Sequence, residues 1–382
     1  MKKRLLAVLT ALSLLLTGCA SLLEQEFVDV TPYNSIPTAE GDPSTLRAEN
    51  YQELVNALLY LVTSGKESGK VRLYLNSEDI DTDLEAACLE VVQEDPLAAY
   101  CVDYIKYSVQ PVVTYADADV QIVYRRTQEQ IASISAVTGV TAIRNELVEA
   151  LSTSATELVL RISYFDGDEQ FIHTLCRQAY YANPASALDL PDIVVSIYPD
   201  SGRQRIIEMA LTYHLEPAQL ESQKTALAHA LNLFLVNLHH GEEESRLAAL
   251  IRALSEQCTY DPEGGSTAYH ALLAHSANSE GMALAMAALC DELDIPCRVV
   301  SGTRDNVHHV WNLISREEGW YHLDLTQPPV EDPEGGQAAD LFRTDSELTD
   351  AGYVWDTQFF PQSVSLQPPV DAADPVQPEA PE

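Results

Sequence analysis

Positive charge is what this chain has least of: 22 Lys and Arg stand against 58 Asp and Glu, a formal net charge of −36 over 382 residues. That deficit excludes a nucleic acid or an anionic lipid surface as partner, since both are gripped by clustered Lys and Arg, and it predicts a soluble, exposed surface. Acidity of this kind attracts cations diffusely, but the dense Asp-x-Asp loop of calcium sites is missing. Long apolar runs are missing too: after Leu5–Leu16 no stretch is apolar enough to span a bilayer. Cysteines are few and unpatterned. Besides Cys19 there are Cys88, Cys101, Cys176, Cys258, Cys290 and Cys297; their spacing fits no metal motif, and a chain of this length builds a core without disulfides, so they read as buried thiols. The paired histidines His239-His240 and His308-His309 lack further ligands at suitable spacing and read as solvated loop residues. No cofactor and no metal is implied.

The first residues form a targeting segment over 1–18, with Lys2, Lys3 and Arg4 before an apolar run from Leu5 to Leu16 that is short for a membrane span. Leu16-Thr17-Gly18-Cys19 resembles the bacterial lipobox. The resemblance implies that Cys19 becomes the diacylated first residue of the mature protein, anchored to the membrane on its extracytoplasmic side rather than spanning it. Losing the three basic residues of the signal would leave −39 on the mature chain. Residues 19–48, with Pro32, Pro37 and Pro43, read as a linker spacing the body from the membrane.

Residues 49–214 read as an α+β region. Asn50 with Glu53 three residues on offers a helix start, and Leu54, Leu58 and Leu61 give a stripe that stops before Ser64-Gly65. An offset of 88 residues then aligns Val71 with Val159, Cys88 with Cys176, Pro96 with Pro184, Ile105 with Ile193 and Pro111 with Pro199. Two repeats follow, about 71–126 and 159–214, each read as strand, helix, strand, strand. The acidic residues Asp79, Asp81, Asp83, Asp166 and Asp168 fall at strand-to-helix junctions, where carboxylates cap helices. Helices are expected over Pro217–Leu238 and Ser245–Gln257, leading into a C-terminal domain over 215–361. The segment 362–382, rich in proline and acid and free of Lys and Arg, reads as a disordered tail.

The chemistry concentrates between Thr267 and Pro329. Apolar residues at helical spacing run from Gly281 to Leu293 and stop before Pro296. Three short strands are expected next, over Arg298–Ser301, His309–Ile314 and Trp320–Leu325. A hairpin centred between Arg316 and Glu317 sets His309 opposite Asp324 and Trp311 opposite His322, and directly opposed side chains lie about 4.5–5.5 Å apart at Cβ. Ser279 sits just before the helix, where unpaired N–H groups favour developing negative charge. Ser279, His309 and Asp324 are thus a candidate nucleophile, base and orienter, although an Asp facing a His across a hairpin also serves as a plain structural hydrogen bond.

Several motifs in order resemble the transglutaminase-like superfamily: Tyr260-Asp261, Thr267-Ala268-Tyr269, Glu280-Gly281-Met282-Ala283, Ile295-Pro296-Cys297-Arg298-Val299-Val300-Ser301-Gly302, His309-Val310-Trp311-Asn312, Trp320-Tyr321-His322-Leu323-Asp324-Leu325-Thr326, and Gly352-Tyr353-Val354-Trp355-Asp356. The resemblance covers about residues 245–361 and implies a papain-type core, a helix packed on an antiparallel sheet, behind an N-terminal duplicated α/β repeat region. It also implies a Cys nucleophile where this chain has Ser279, and a Tyr where it has Met282. A thiol near pKa 8.5 is drawn to thiolate by a helix N-terminus and an imidazolium, whereas a serine hydroxyl needs its proton abstracted during attack. Two functions are therefore expected from the sequence. In one, the acyl-transfer chemistry is lost and the domain binds a peptide or cell-wall element. In the other, Ser279, activated by His309 and oriented by Asp324, cleaves or transfers amide bonds in envelope proteins or peptidoglycan peptides. A scaffold that merely contacts a partner protein is the third, plainest reading.

Overall fold

The computed structural model describes residues 37, 39–40, 42–75, 79–236, 243–327 and 341–363. The expected targeting segment, Cys19, His239-His240 and nearly all of the acidic tail lie outside them. No helix among the described residues is long and apolar enough to cross a membrane. The chain divides into two compact units, one of residues 1–98 and 102–125, the other of residues 99–101 and 126–382.

The first unit holds β1 (Ala39–Glu40), β2 (Asp42–Ala48), α1 (Tyr51–Thr63), β3 (Ser68–Leu73), α2 (Ile80–Glu94), the first half of α3 (Pro96–Cys101), β4 (Val102–Val112) and β5 (Tyr115–Tyr124). Its sheet runs β1-β2-β3-β5-β4, with β2 parallel to β3 and the rest antiparallel. The linker expected over 19–48 fails at its C-terminal end: β2 is an inner strand, with Thr45, Leu46 and Ala48 buried. Pro43 sits early in that strand, and the proline spacing hid the alternation that follows it. Asn50 caps α1 by accepting from the Glu53 amide at 3.0 Å, and Asp79 caps α2 by accepting from the Thr82 amide.

The second unit begins with α4 (Gln128–Ala132), β6 (Ser135–Val137), α5 (Val140–Ser152), β7 (Glu157–Ile162), α6 (Glu169–Tyr181), β8 (Asp192–Tyr198) and β9 (Arg205–Thr212), with a sheet ordered β6-β7-β9-β8. Both sheets carry the strand, helix, strand, strand order, and in both a further strand and helix come first, which the sequence reading had not grouped with them. The parallel pairs even share a register, Thr45 beside Lys70 and Ser135 beside Leu160, each 25 residues apart. Asp168 caps α6 through the Phe171 amide at 2.8 Å.

α7 (Pro217–Leu235) and α8 (Glu243–Gln257) lead to the C-terminal core: β10 (Thr259–Gly265), a π-helical turn (His270–Ala274), β11 (Ser276–Ala277), α9 (Ser279–Glu292), β12 (Cys297–Arg304), β13 (Val307–Arg316), β14 (Gly319–Leu323), β15 (Phe342–Arg343), α10 (Asp345–Asp350) and β16 (Tyr353–Trp355). Nearly every side chain of α9 from Ser279 to Cys290 is buried, so this helix is central rather than amphipathic. Asn278 caps it through the Gly281 amide at 3.0 Å, which starts it two residues before the apolar run. It ends in a Schellman motif: Ile295 N–H donates to Cys290 O and Asp294 N–H to Asp291 O, with Asp294 in the left-handed region at φ +55°, and Pro296 blocks continuation. α9 packs on a sheet ordered β15-β14-β13-β12-β16, and one apolar core runs from Val137 through α7, α8 and α9 to Leu325.

The β13–β14 hairpin departs from its expected register. Arg316 pairs with Gly319 and Asn312 with Leu323, so the turn is Glu317-Glu318 and the register is displaced by two residues. Gly319 takes φ +136°, open to glycine and rarely to other residues.

Candidate active site

His309 lies near the start of β13 and Asp324 one residue past the end of β14. The two are diagonal neighbours instead of directly opposed, because the turn falls one position later than expected. A slip of two leaves every side chain on its original face, whereas a slip of one would have separated them. His309 Nε2 and Asp324 Oδ2 stand 2.8 Å apart. The other oxygen, Oδ1, accepts from the Thr326 amide at 2.9 Å and the Thr326 hydroxyl at 2.8 Å, while the Tyr353 hydroxyl donates to Oδ2 at 2.5 Å. Burial alone would push this carboxyl up. The hydrogen bond and charge of His309, with the donors from Tyr353 and Thr326, outweigh it and hold the Asp324 carboxyl below its ordinary value. An ionised carboxylate only accepts, so His309 carries its proton on Nε2 and presents Nδ1 as the basic nitrogen.

Ser279 is the first residue of α9, and its Oγ accepts from the Val310 amide at 3.3 Å. The helix N-terminus thus brings Ser279 to the strand position next to His309, but among the described residues Ser279 and His309 share no direct hydrogen bond. Asn312 fixes the spacing of helix and strand by donating to Ala283 O at 2.9 Å. Ser279, His309 and Asp324 are 9%, 7% and 6% exposed, so whatever reacts here does so largely away from bulk water. His308, by contrast, faces out and meets Ser301 Oγ at 3.1 Å, the alternation expected of neighbours on a strand.

The imidazole of His309 stacks on Trp311 at 6.2 Å and 24°, and meets the Tyr353 ring edge-on at 5.8 Å. Trp311 is itself anchored, donating from Nε1 to His322 Nδ1 at 2.9 Å, and His322 Nε2 reaches Asp345 Oδ1 at 2.9 Å. His322 is neutral in this arrangement, since Nδ1 must accept from the indole; burial pushes its pKa down against the pull of Asp345. Beside Ser279, Glu280 Oε1 accepts from the Tyr181 hydroxyl at 2.9 Å, so the helix start is tied to α6.

Tyr353, Asp345, Tyr181 and the Val310 amide are the parts of the site that sequence reasoning did not assign. Tyr353 stood in the closing motif and Thr326 in the Asp-x-Thr motif, but nothing in the spacing said that both serve Asp324. Cys290, three turns along α9 from Ser279, is buried, and its thiol is pushed up by its contact with Cys297 and by burial; it is no substitute nucleophile. Among the described residues no cluster of His, Cys, Asp and Glu is arranged to hold a metal ion.

No curated protein matches the chain. Among solved structures it is similar to a TGase crystal structure (12% identity, TM-score 0.26, covering 64% of this chain and 75% of that one). It is also similar to a candidate cysteine protease from Cytophaga hutchinsonii (14%, TM-score 0.24, 36% and 62%) and to a candidate protease from Parabacteroides distasonis ATCC 8503 (8%, TM-score 0.20, 70% and 45%). The chain spans less than two thirds of either protease's own length. Residues 236–325 match the family described as the transglutaminase-like superfamily. The start of α9, the His309–Asp324 pair and strands β12 to β14 all fall within that matched stretch, which is thus similar to the transglutaminase-like superfamily.

Proposed function

We propose that this protein is a lipid-anchored bacterial surface protein whose transglutaminase-like domain binds peptide or cell-envelope material and has lost most of its acyl-transfer chemistry. The observation that carries the reading is Ser279: its oxygen accepts from the Val310 amide and has no hydrogen bond to His309 among the described residues. The Val310 amide only donates to this oxygen and takes no proton, so with no base in hydrogen-bond contact the hydroxyl keeps its proton. The anchor at Cys19 rests on the sequence motif. The two α/β sheets, alike in element order and in the register of their parallel strands, support reading the N-terminal region as a duplicated unit that spaces or presents the domain.

A second reading, an amide hydrolase or acyl transferase using Ser279, His309 and Asp324, is favoured by how fully Asp324 is satisfied and by a His309 Nδ1 that has no hydrogen bond among the described residues. Labelling of the mature chain by a fluorophosphonate, beside Ser279→Ala, Ser279→Cys and His309→Ala, separates the two. The binding reading expects no label on the natural chain, and in Ser279→Cys a thiol that reacts with iodoacetamide only while His309 is present. Labelling of the natural chain that disappears in both Ser279→Ala and His309→Ala would establish the serine enzyme instead.

A further inference from the structure

β12 is paired along only part of its outer edge. β16 covers Gly302, Thr303 and Arg304, and among the described residues no strand lies beside Cys297–Ser301. The phase of the ladder says which groups are left. Ser315 N–H donates to Pro296 O at 2.9 Å, so the even-numbered residues of β12 bond to β13, and Cys297, Val299 and Ser301 turn their N–H and C=O outward. Those three residues line a cavity of about 660 Å³ whose far wall is α6.

The charge of this cavity runs against the rest of the chain. Arg144, Arg177 and Arg298 all line it, and among the described residues none of the three has an ion pair or a hydrogen bond. Arg298 lies over the Trp320 ring at 5.7 Å, and Phe360 adds apolar wall. One acid, Asp356, shares the lining. In a chain with 22 basic and 58 acidic residues, three unpaired guanidinium groups converging on one open strand edge mark a place for an anion.

We propose that this edge is a docking site for an acidic peptide in extended conformation, which takes the strand position beside Cys297–Ser301 that β16 vacates and sets its carboxylates on Arg144, Arg177 and Arg298. Five residues of strand span about 17 Å, enough for a short segment whose main chain provides affinity and whose acids provide selection. The site is separate from the serine question, because occupying it requires neither Ser279 nor His309. The net charge of the body repels acidic peptides at long range, so the attraction is local.

The test is calorimetry of the mature chain with acetyl-Glu-Glu-Val-Glu-Glu-amide, beside its Lys-for-Glu counterpart, its fully N-methylated counterpart, and free glutarate. Hydrogen exchange of the Val299 and Ser301 amides is followed in parallel. The acidic peptide is expected to bind and to slow exchange at both amides, and its Kd should rise by about tenfold or more in Arg177→Gln/Arg298→Gln. The lysine and N-methylated peptides should not bind. Several results would overturn the proposal: no heat up to about 1 mM peptide, equal binding of the N-methylated peptide or of glutarate, an unchanged Kd in the double arginine variant, or binding seen only after residues 364–382 are removed, which would assign the edge to the chain's own acidic end.

Discussion

At the residue scale the site is organised around a carboxylate. Asp324 has four partners, and removing one leaves the others to hold a buried charge short of a donor. Tyr353→Phe deletes only the hydroxyl that donates to Oδ2 at 2.5 Å. A hydrogen bond to a charged group contributes about 1.5–3 kcal/mol, so urea unfolding at neutral pH should show a free energy lowered by that amount, with a lower midpoint and an unchanged slope. Because the folded Asp324 carboxyl is held below its ordinary value, its stabilising contribution is fully present above the unfolded value of about 3.9 and is lost as the pH falls through the folded one. Asp324→Asn should therefore be less stable than the natural chain at pH 7 and show a shallower acid limb; an acid limb as steep as the natural one would place that titration elsewhere. His309, Asp324 and Ser279 were legible because they sit in ordered motifs. Tyr353 was not assigned because its partner lies 29 residues away in sequence, and the Val310 amide was invisible because a backbone donor leaves no residue-type signal.

At the scale of elements, helix and strands were read from period and punctuation, and the errors came where one signal masked another. α9 starts at Ser279 rather than Gly281 because Asn278 caps it, a polar residue outside the apolar run. β2 reads as linker in the sequence because prolines precede it and Pro43 falls within it. The hairpin slipped by two because a polar turn of several residues has more than one centre, and the site survived since both registers keep the same faces. Within α9, Gly281 offers a test in which two effects oppose each other. Alanine is the better helix former by about 1 kcal/mol. A Cβ at Gly281, however, would stand 2.6 Å from Gly265 O and 2.9 Å from Ala277 Cβ, and the first is backbone that cannot swing aside. Overpacking of that kind costs about 1–3 kcal/mol, so Gly281→Ala is expected to destabilise the domain in urea unfolding; a gain in stability would mean that the start of α9 shifts freely against β10 and β11.

At the scale of the whole molecule, charge dominates. With a formal net charge of −36 the folded chain repels itself, and ion pairs such as Arg316 with Glu244, bonded through Nε and Nη2 at 2.9–3.1 Å, offset only a little of it. Raising ionic strength from about 0.01 to 0.15 M shortens the screening length from about 30 to 8 Å, so the thermal midpoint of the chain should rise by a few degrees; a fall would mean that attractive pairs outweigh the repulsion. The open edge at Cys297–Ser301 matters at this scale for another reason. An uncovered strand is a template on which a second copy of the same chain can grow, the first step towards aggregation. Here β16 ends the run at one end and Arg298 places a charge midway along it, so the edge is kept short, charged and poor as a seed while remaining open.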